Sequence, residues 1–83
     1  MKYYKIICKS QCPFCIKART LLIEKGEQFE YCSIDDSPEL FNYYKTIYNH
    51  NTVPIIILKE GDMDDRFIGG YTELVKFHEQ EAS

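Results

Sequence analysis

Two periods of hydrophobic and polar positions alternate along the chain and predict its secondary structure. Short apolar runs predict strands over residues 3–8, 29–34, 53–58 and 66–68. Apolar residues three and four positions apart predict helices from Pro13 to Lys25, from Pro38 and from Tyr71. The chain contains no repeat, linker or low-complexity segment, so we expect a single domain over residues 1–83.

The apolar stripes also indicate which faces are buried. Ile6, Ile7 and Cys8 form an unbroken apolar run, which is typical of a central strand covered on both faces. Because a helix joins the first two strands, we expect these strands to be parallel. The stripe on the second helix is predicted to be core and consists of Leu40, Phe41, Tyr44, Ile47 and Tyr48.

Local signals mark the ends of the helices. Gly26 should end the first helix as a left-handed cap. Ser37 is predicted to be the N-cap of the second helix, with Pro38 at its first position. On the last helix, His78 is expected to be a partly buried surface residue rather than a catalytic base.

Composition narrows the class of protein. A hydrophobic content of 45% with 28% charged residues is ordinary for a globular domain, and the net charge of −3 argues against nucleic-acid binding. The first apolar run is short and is broken by Lys2, Lys5 and Lys9, so we expect neither a signal peptide nor a membrane span. The expected location is the cytoplasm, where thiols stay reduced and a Cys-x-x-Cys pair is typically catalytic.

The segment Cys12-Pro13-Phe14-Cys15 carries the candidate chemistry, because it follows a strand and opens a helix. Cys12 should lie at the helix N-terminus, where free N–H groups and the macrodipole stabilise a thiolate. Cys15 should lie inside the first turn. We therefore predict that Cys12 attacks disulfides and that Cys15 resolves them, with Lys9 as a second cation that stabilises the thiolate.

Cysteines could also serve a structural metal site or a second disulfide. A structural zinc site would need a second pair of ligands, whereas Cys8 and Cys32 are isolated in the sequence and His50 and His78 are far apart, so no metal is expected. Cys8 and Cys32 are predicted to be buried free thiols on neighbouring strands. A regulatory disulfide between them is the alternative.

Three further segments carry local signals. Pro54 stands at the head of a β-branched strand, where it cannot donate to the ladder, so it belongs at the first strand position or on an edge. A cis Val53–Pro54 bond is the more specific prediction for this segment, with a trans bond as the alternative. Residues 60–65 form an acidic stretch without the spacing of a calcium-binding loop and are predicted to be a solvated turn. Gly69 and Gly70 then permit positive φ or close backbone approach before the last helix.

Three motifs in this order and spacing resemble the glutaredoxins along the whole chain: Cys12-Pro13-Phe14-Cys15, Thr52-Val53-Pro54 and Gly69-Gly70-Tyr71-Thr72-Glu73. The resemblance implies an α/β thioredoxin fold, β1-α1-β2-α2-β3-β4-α3, with a four-stranded mixed sheet flanked by three helices. It also implies glutathione as the reductant and a redox-active disulfide between Cys12 and Cys15. The reaction implied is the reduction of glutathione mixed disulfides and protein disulfides.

The resemblance further implies which residues bind glutathione. Lys9 would meet a carboxylate of the tripeptide, Val53 would pair with its backbone, and the start of the last helix would hold its γ-glutamyl end. The family usually has Tyr at Phe14 and Asp at Glu73, and a basic residue often stands where Asn51 is, with Lys45 or His50 as candidates to replace it. The full predicted set is Lys9, Cys12, Phe14, Thr52, Val53, Pro54, Gly70, Tyr71, Thr72 and Glu73.

Two alternative functions belong to the same fold. One is a glutaredoxin-like redoxin reduced by a flavoprotein reductase, which the segment Gly69 to Glu73 disfavours. The other is a carrier in which Cys12 of two subunits and two glutathiones hold a [2Fe-2S] cluster, which Pro13 and the second cysteine disfavour. We expect a monomer that acts on disulfide-containing proteins, with ribonucleotide reductase as the substrate suggested by the family and with no nucleic-acid or membrane partner.

Overall fold

The computed structural model describes residues 2–82, and within them four strands form one mixed sheet. The strand order is β2-β1-β3-β4; β1 and β2 are parallel, whereas β1 with β3 and β3 with β4 are antiparallel. This is the thioredoxin fold that the resemblance to glutaredoxins implies. The elements are β1 (Lys2–Cys8), α1 (Pro13–Glu24), β2 (Phe29–Ser33), α2 (Pro38–Tyr48), β3 (Ile55–Glu60), β4 (Arg66–Gly69) and α3 (Tyr71–Ala82).

The sheet carries a hydrophobic cluster on each face, because successive side chains of a strand point to opposite sides. On one face, Ile6 and Cys8 of β1 pack with residues of α1 and α3, including Leu22 and Leu74. On the other face, Ile7 packs with residues of β3 and α2. The two clusters hold the end of β1 from both faces. The loop that follows β1 and leads to α1 is therefore anchored at its first residue.

Helix α2 buries less of its stripe than predicted. Tyr44 is buried, and Leu40, Phe41 and Tyr48 are partly buried against the sheet. Ile47 is 50% exposed, so its assignment to the core is wrong. Its position at the edge of the stripe, on the same side of the helix as exposed Tyr43, explains the difference.

Several ends of the elements differ in detail from prediction. Helix α1 ends at Glu24, one residue early, and Gly26 follows it in the left-handed region with φ 68°, as predicted. Ser37 occupies the N-cap position of α2, but its hydroxyl donates to the Glu39 carboxylate instead of accepting from a backbone N–H. Strand β3 begins at Ile55 rather than Val53, since Pro54 has no N–H to add to the ladder.

The three helices α1, α2 and α3 are each 11 or 12 residues long. None of those within residues 2–82 is long and apolar enough to cross a bilayer.

Candidate active site

Cys12 lies at the N-cap position of α1, with Pro13 at the first helical position. Its backbone N–H donates to the Lys9 carbonyl oxygen at 3.3 Å, and its own carbonyl accepts from the Ile16 N–H at 3.1 Å. Among the described residues, no side chain forms a capping hydrogen bond at this end of the helix. The half-buried Cys12 sulfur therefore sits where the first N–H groups and the macrodipole favour a negative charge.

Cys15 lies in the first turn of α1 and is fully buried. It belongs to the same core cluster as Cys8, and Cys12 packs against that cluster. The neighbouring Cys8 thiol has the largest effect on Cys15 and lowers its pKa to about 6, although burial acts in the opposite direction. Cys15 and burial in turn raise the pKa of Cys8.

The Val53–Pro54 peptide bond is cis, as predicted, and it lies beside the cysteine pair. The Cys12 thiol donates a long hydrogen bond of 3.9 Å to the Val53 carbonyl oxygen, across 41 positions of sequence. Pro54 is buried, whereas Val53 is partly exposed. The segment before β3 is thus placed against the thiol that is predicted to attack.

An open cleft of about 420 Å³ adjoins this segment. It contains every predicted glutathione-binding residue except Lys9 and Cys12, although those residues come from three distant parts of the sequence. The rings of Phe14 and Tyr71 lie 6.2 Å apart between centroids and form an apolar wall. The lining consists of Phe14, His50, Thr52, Val53, Pro54, Gly70, Tyr71, Thr72 and Glu73.

Glu73 has a structural role at the far end of the cleft. Its carboxylate accepts a hydrogen bond of 2.7 Å from the Gly70 N–H and so caps the start of α3. This arrangement requires Gly69, whose φ is 124° and where a Cβ atom would lie 2.7 Å from the Glu73 Cγ atom. The carboxylate is held at a helix N-terminus and remains exposed to a ligand.

Comparison with known proteins decides the family. A family model described as Glutaredoxin matches residues 2–62, which is most of the chain. The chain belongs to the glutaredoxin family. Membership implies thiol–disulfide oxidoreductase chemistry, which agrees with the placement of Cys12 and Cys15. No curated protein sequence matches this glutaredoxin.

Solved structures show the same fold. Glutaredoxin 1 from Francisella tularensis, complexed with cacodylate, is 27% identical with a TM-score of 0.77, and the match covers 99% of this chain and 98% of that one. The dithiolic glutaredoxin 2-C-Grx1 from Trypanosoma brucei brucei is 23% identical with a TM-score of 0.79, covering 96% and 80%. A buckwheat glutaredoxin–glutathione complex is 18% identical with a TM-score of 0.80, covering 96% and 71%.

His50 is a cleft residue that the sequence identified only as a possible replacement for a basic side chain. Its Nε2 atom lies 3.4 Å from the Thr52 hydroxyl, and its ring packs edge-on against Phe67 with centroids 5.4 Å apart. Lys45, the other candidate, extends over the Phe41 ring at 5.7 Å and is not part of the cleft lining. In this glutaredoxin, His50 and not Lys45 is therefore the candidate that lines the cleft.

Lys9 lies on the exposed loop between β1 and α1, outside the cleft lining. The loop is tied to the end of β2 by a hydrogen bond of 3.2 Å from the Ser10 N–H to the Asp35 carboxylate. Hydrogen bonding from Ser10, together with the nearby charge of Lys9, lowers the pKa of Asp35. The contribution of Lys9 to the Cys12 thiolate stays a prediction.

The remaining two cysteines do not behave as a pair. Cys8 is buried against α1, whereas Cys32 is partly exposed on the edge strand β2, packs on the opposite face of the sheet and donates to a Glu30 carboxylate oxygen at 3.4 Å. The prediction that Cys32 is buried is wrong, and so is the alternative of a Cys8–Cys32 disulfide. Within residues 2–82, no group of three His, Cys, Asp or Glu side chains could hold a metal ion.

Proposed function

We propose that this glutaredoxin is a glutathione-dependent oxidoreductase that reduces glutathione mixed disulfides and protein disulfides through Cys12 and Cys15. The observation that carries the proposal is the contact between the Cys12 thiol and the Val53 carbonyl at the edge of the cleft. A tripeptide bound in the cleft would bring its central cysteine to the sulfur of Cys12. The buckwheat glutaredoxin, which has the same fold, has been solved with glutathione, and this supports the choice of ligand.

The cleft offers suitable partners for each part of glutathione. The exposed backbone of Val53 can pair with the tripeptide, and Phe14 and Tyr71 can cover its apolar surface. At the start of α3, the N–H groups near Thr72 suit the γ-glutamyl carboxylate, and the Glu73 carboxylate suits its ammonium group. Lys9, which lies on the loop before α1, can pair with the glycyl carboxylate.

Mixed disulfides require only Cys12. The Cys12 thiolate attacks the glutathione sulfur, the substrate leaves as a thiolate that takes a proton from water, and a Cys12–glutathione disulfide forms. A second glutathione thiolate then attacks the glutathione sulfur of this disulfide. Oxidised glutathione is released, and the Cys12 thiolate is restored.

Protein disulfides require both cysteines. Cys12 first forms a mixed disulfide with one protein sulfur, while the other protein sulfur leaves as a thiolate. The Cys15 thiolate then attacks the Cys12 sulfur, which releases the substrate and closes the Cys12–Cys15 disulfide. Two glutathione molecules reduce this disulfide in turn. We propose a monomeric cytoplasmic protein, with ribonucleotide reductase among the substrates to test.

The test is turnover of a glutathione mixed disulfide with glutathione, glutathione reductase and NADPH. Cys12→Ser should abolish turnover, whereas Cys15→Ser should retain it and should lose only the reduction of protein disulfides. Cys32→Ser, on the opposite face of the sheet, is the matched control and should behave as wild type. Turnover that requires a flavoprotein reductase in place of glutathione, or loss of mixed-disulfide activity in Cys15→Ser alone, would contradict the proposal.

A further inference from the structure

His50 lines the cleft but has no part in the glutathione contacts proposed above. It follows Asn49, which ends α2 and turns the chain in the left-handed region with φ 51°. The His50 N–H donates to the Lys45 carbonyl oxygen at 3.2 Å and ties the residue to the last turn of the helix. Its ring packs edge-on against Phe67, and Phe67 stacks on Tyr48 with centroids 4.6 Å apart. The imidazole is therefore held from both α2 and β4.

An open space beside Gly70, which we call the Gly70 niche, is bordered by both His50 and Glu73. A Cβ atom placed on Gly70 would lie 3.8 Å from the His50 Nε2 atom and 3.2 Å from the Glu73 Oε1 atom. The same atom would lie 3.7 Å from the Pro54 carbonyl oxygen. Because glycine has no Cβ atom, the niche stays open to the cleft, and the imidazole and the carboxylate reach it from different segments of the chain.

We propose that His50 is a specificity-determining residue for glutathione: its Nε2 atom contacts the amino-acid end of the γ-glutamyl group in the Gly70 niche, beside Glu73. The proposal rests on the proposed glutathione dependence and deepens it, because it names a residue that recognises one end of the tripeptide. It assigns His50 to the γ-glutamyl end of the cleft and not to the glycyl end, where Lys9 is proposed to bind.

The charges at the niche explain why a second polar side chain is needed there. The amino-acid end of a γ-glutamyl group carries an ammonium and a carboxylate on one carbon atom. Glu73 suits the ammonium group but repels the carboxylate group. An N–H at Nε2 of His50 can donate to that carboxylate, and a hydrogen bond to a charged acceptor is stronger than a neutral one. The two side chains together thus complement a zwitterion, which neither does alone.

The surroundings of both side chains fit these roles. The Thr52 hydroxyl lies 3.4 Å from Nε2 of His50, and a hydroxyl can accept a hydrogen bond from an N–H at this nitrogen until a ligand carboxylate replaces it. The Glu73 carboxylate accepts from the Gly70 N–H at 2.7 Å, so its position is fixed before a ligand binds. Both walls of the niche are therefore in place in the free protein, which lowers the cost of ordering them on binding.

The first experiment compares three disulfides that differ at one end of the peptide. They are oxidised glutathione, oxidised γ-glutamylcysteine, which lacks glycine, and oxidised cysteinylglycine, which lacks the γ-glutamyl group. In Cys15→Ser, Cys12 attacks one sulfur, the other half leaves as a thiolate, and intact mass gives the rate constant at which Cys12 acquires each group. This background keeps the attacking thiol and cannot release the product by resolution.

His50→Ala in this background should lower the rate constants for glutathione and γ-glutamylcysteine by about fivefold, as expected for one hydrogen bond. It should leave the rate constant for cysteinylglycine unchanged. His50→Gln, which keeps an N–H donor, should recover most of the rate. Asn51→Ala, at an exposed neighbour outside the cleft lining, is the matched control and should match the parent.

Three outcomes would overturn the role of His50. Unchanged rate constants in His50→Ala would exclude the contact. An equal loss for all three disulfides would assign the effect to lost packing against Phe67. A loss for glutathione and cysteinylglycine, with γ-glutamylcysteine unaffected, would place His50 at the glycyl end.

A second measurement requires neither a variant nor turnover. S-methylglutathione, which cannot exchange disulfides, is added to the reduced protein until the backbone NMR signals of the cleft have shifted, and the imidazole nitrogen signals are recorded. Those of His50 should move, whereas those of His78, on α3 outside the cleft lining, should stay fixed. A shift of His50 without glutathione-dependent turnover would refute the proposed function alone, whereas turnover with a fixed His50 signal would refute the role of His50 alone.

Discussion

Glu73 is expected to combine two roles that substitutions can separate. Its carboxylate accepts the Gly70 N–H at 2.7 Å, and the same carboxylate is proposed to bind the γ-glutamyl ammonium group. Glu73→Ala removes both functions, whereas Glu73→Gln keeps an acceptor oxygen for Gly70 and removes the charge. Glu79→Ala, an exposed position on the same helix away from its first turn, is the matched control.

The magnitude follows from the helix cap. A capping hydrogen bond contributes about 1 kcal/mol, and a domain of this size loses roughly 4–8 °C of Tm per kcal/mol. Glu73→Ala should therefore melt roughly 4–8 °C below wild type in circular dichroism, and Glu73→Gln should melt close to wild type. Because an exposed ion pair contributes up to about 1 kcal/mol, both variants should raise the KM for a glutathione mixed disulfide by up to about fivefold.

Three results would refute this reasoning. Equal melting temperatures for Glu73→Ala and Glu79→Ala would show that the Gly70 bond does not stabilise α3. A melting temperature of Glu73→Gln as low as that of Glu73→Ala would assign the stability to charge rather than to the hydrogen bond. An unchanged KM in Glu73→Gln would remove Glu73 from the proposed glutathione site.

Three more predictions concern the surroundings of the thiols and the turns. Lys9→Gln should slow alkylation of Cys12 by iodoacetamide near neutral pH by up to about fivefold at low salt, and high salt should erase the difference; equal rates at low salt would exclude the Lys9 charge. Gly26→Ala should lower the free energy of unfolding by about 1 kcal/mol, because φ of Gly26 is 68° and the space around it is open. Gly69→Ala should lower it more, because the new Cβ atom would lie 2.7 Å from the Glu73 side chain of α3. Urea unfolding that finds Gly26→Ala the less stable variant would contradict this. The reduced protein should become more stable as the pH rises from about 6 to about 9. In the folded state the pKa of Cys15 is lowered from 9.0 to about 6, whereas the unfolded thiol still binds its proton in that range. An equal rise in the stability of Cys15→Ser would show that Cys15 is not the cause.

Most of the fold could be predicted because the apolar spacing is consistent with the turn signals. The apolar run over residues 55–58, which begins with three β-branched isoleucines, is too short for a helix. Gly26 marks the end of α1. The wrong predictions concern residues at the edge of a buried stripe or at the end of an element. Ile47 has the right spacing but lies at the edge of the α2 stripe, and Val53 has strand propensity but precedes a proline that cannot join the ladder.

The individual segments of the candidate site could be predicted from the sequence, but the packing of residues from different segments could be predicted less well. Motifs placed Cys12, Cys15 and the segment before β3, since each has a local signature. The placement of Cys8 and Cys15 in one core cluster has no such signature. The alternation of β1 indicates that Cys8 shares a face with Ile6, but which helix covers that face depends on how the chain crosses the sheet.

The most direct test of the proposed function is the intact mass of Cys15→Ser after treatment with oxidised glutathione. This variant keeps the attacking thiol and cannot resolve the product, so one glutathione should accumulate, and peptide mapping should place it on Cys12. The double variant Cys12→Ser, Cys15→Ser should acquire none at the active site. A folded Cys15→Ser protein that takes up no glutathione, or that carries it on Cys32 instead of Cys12, would contradict the account.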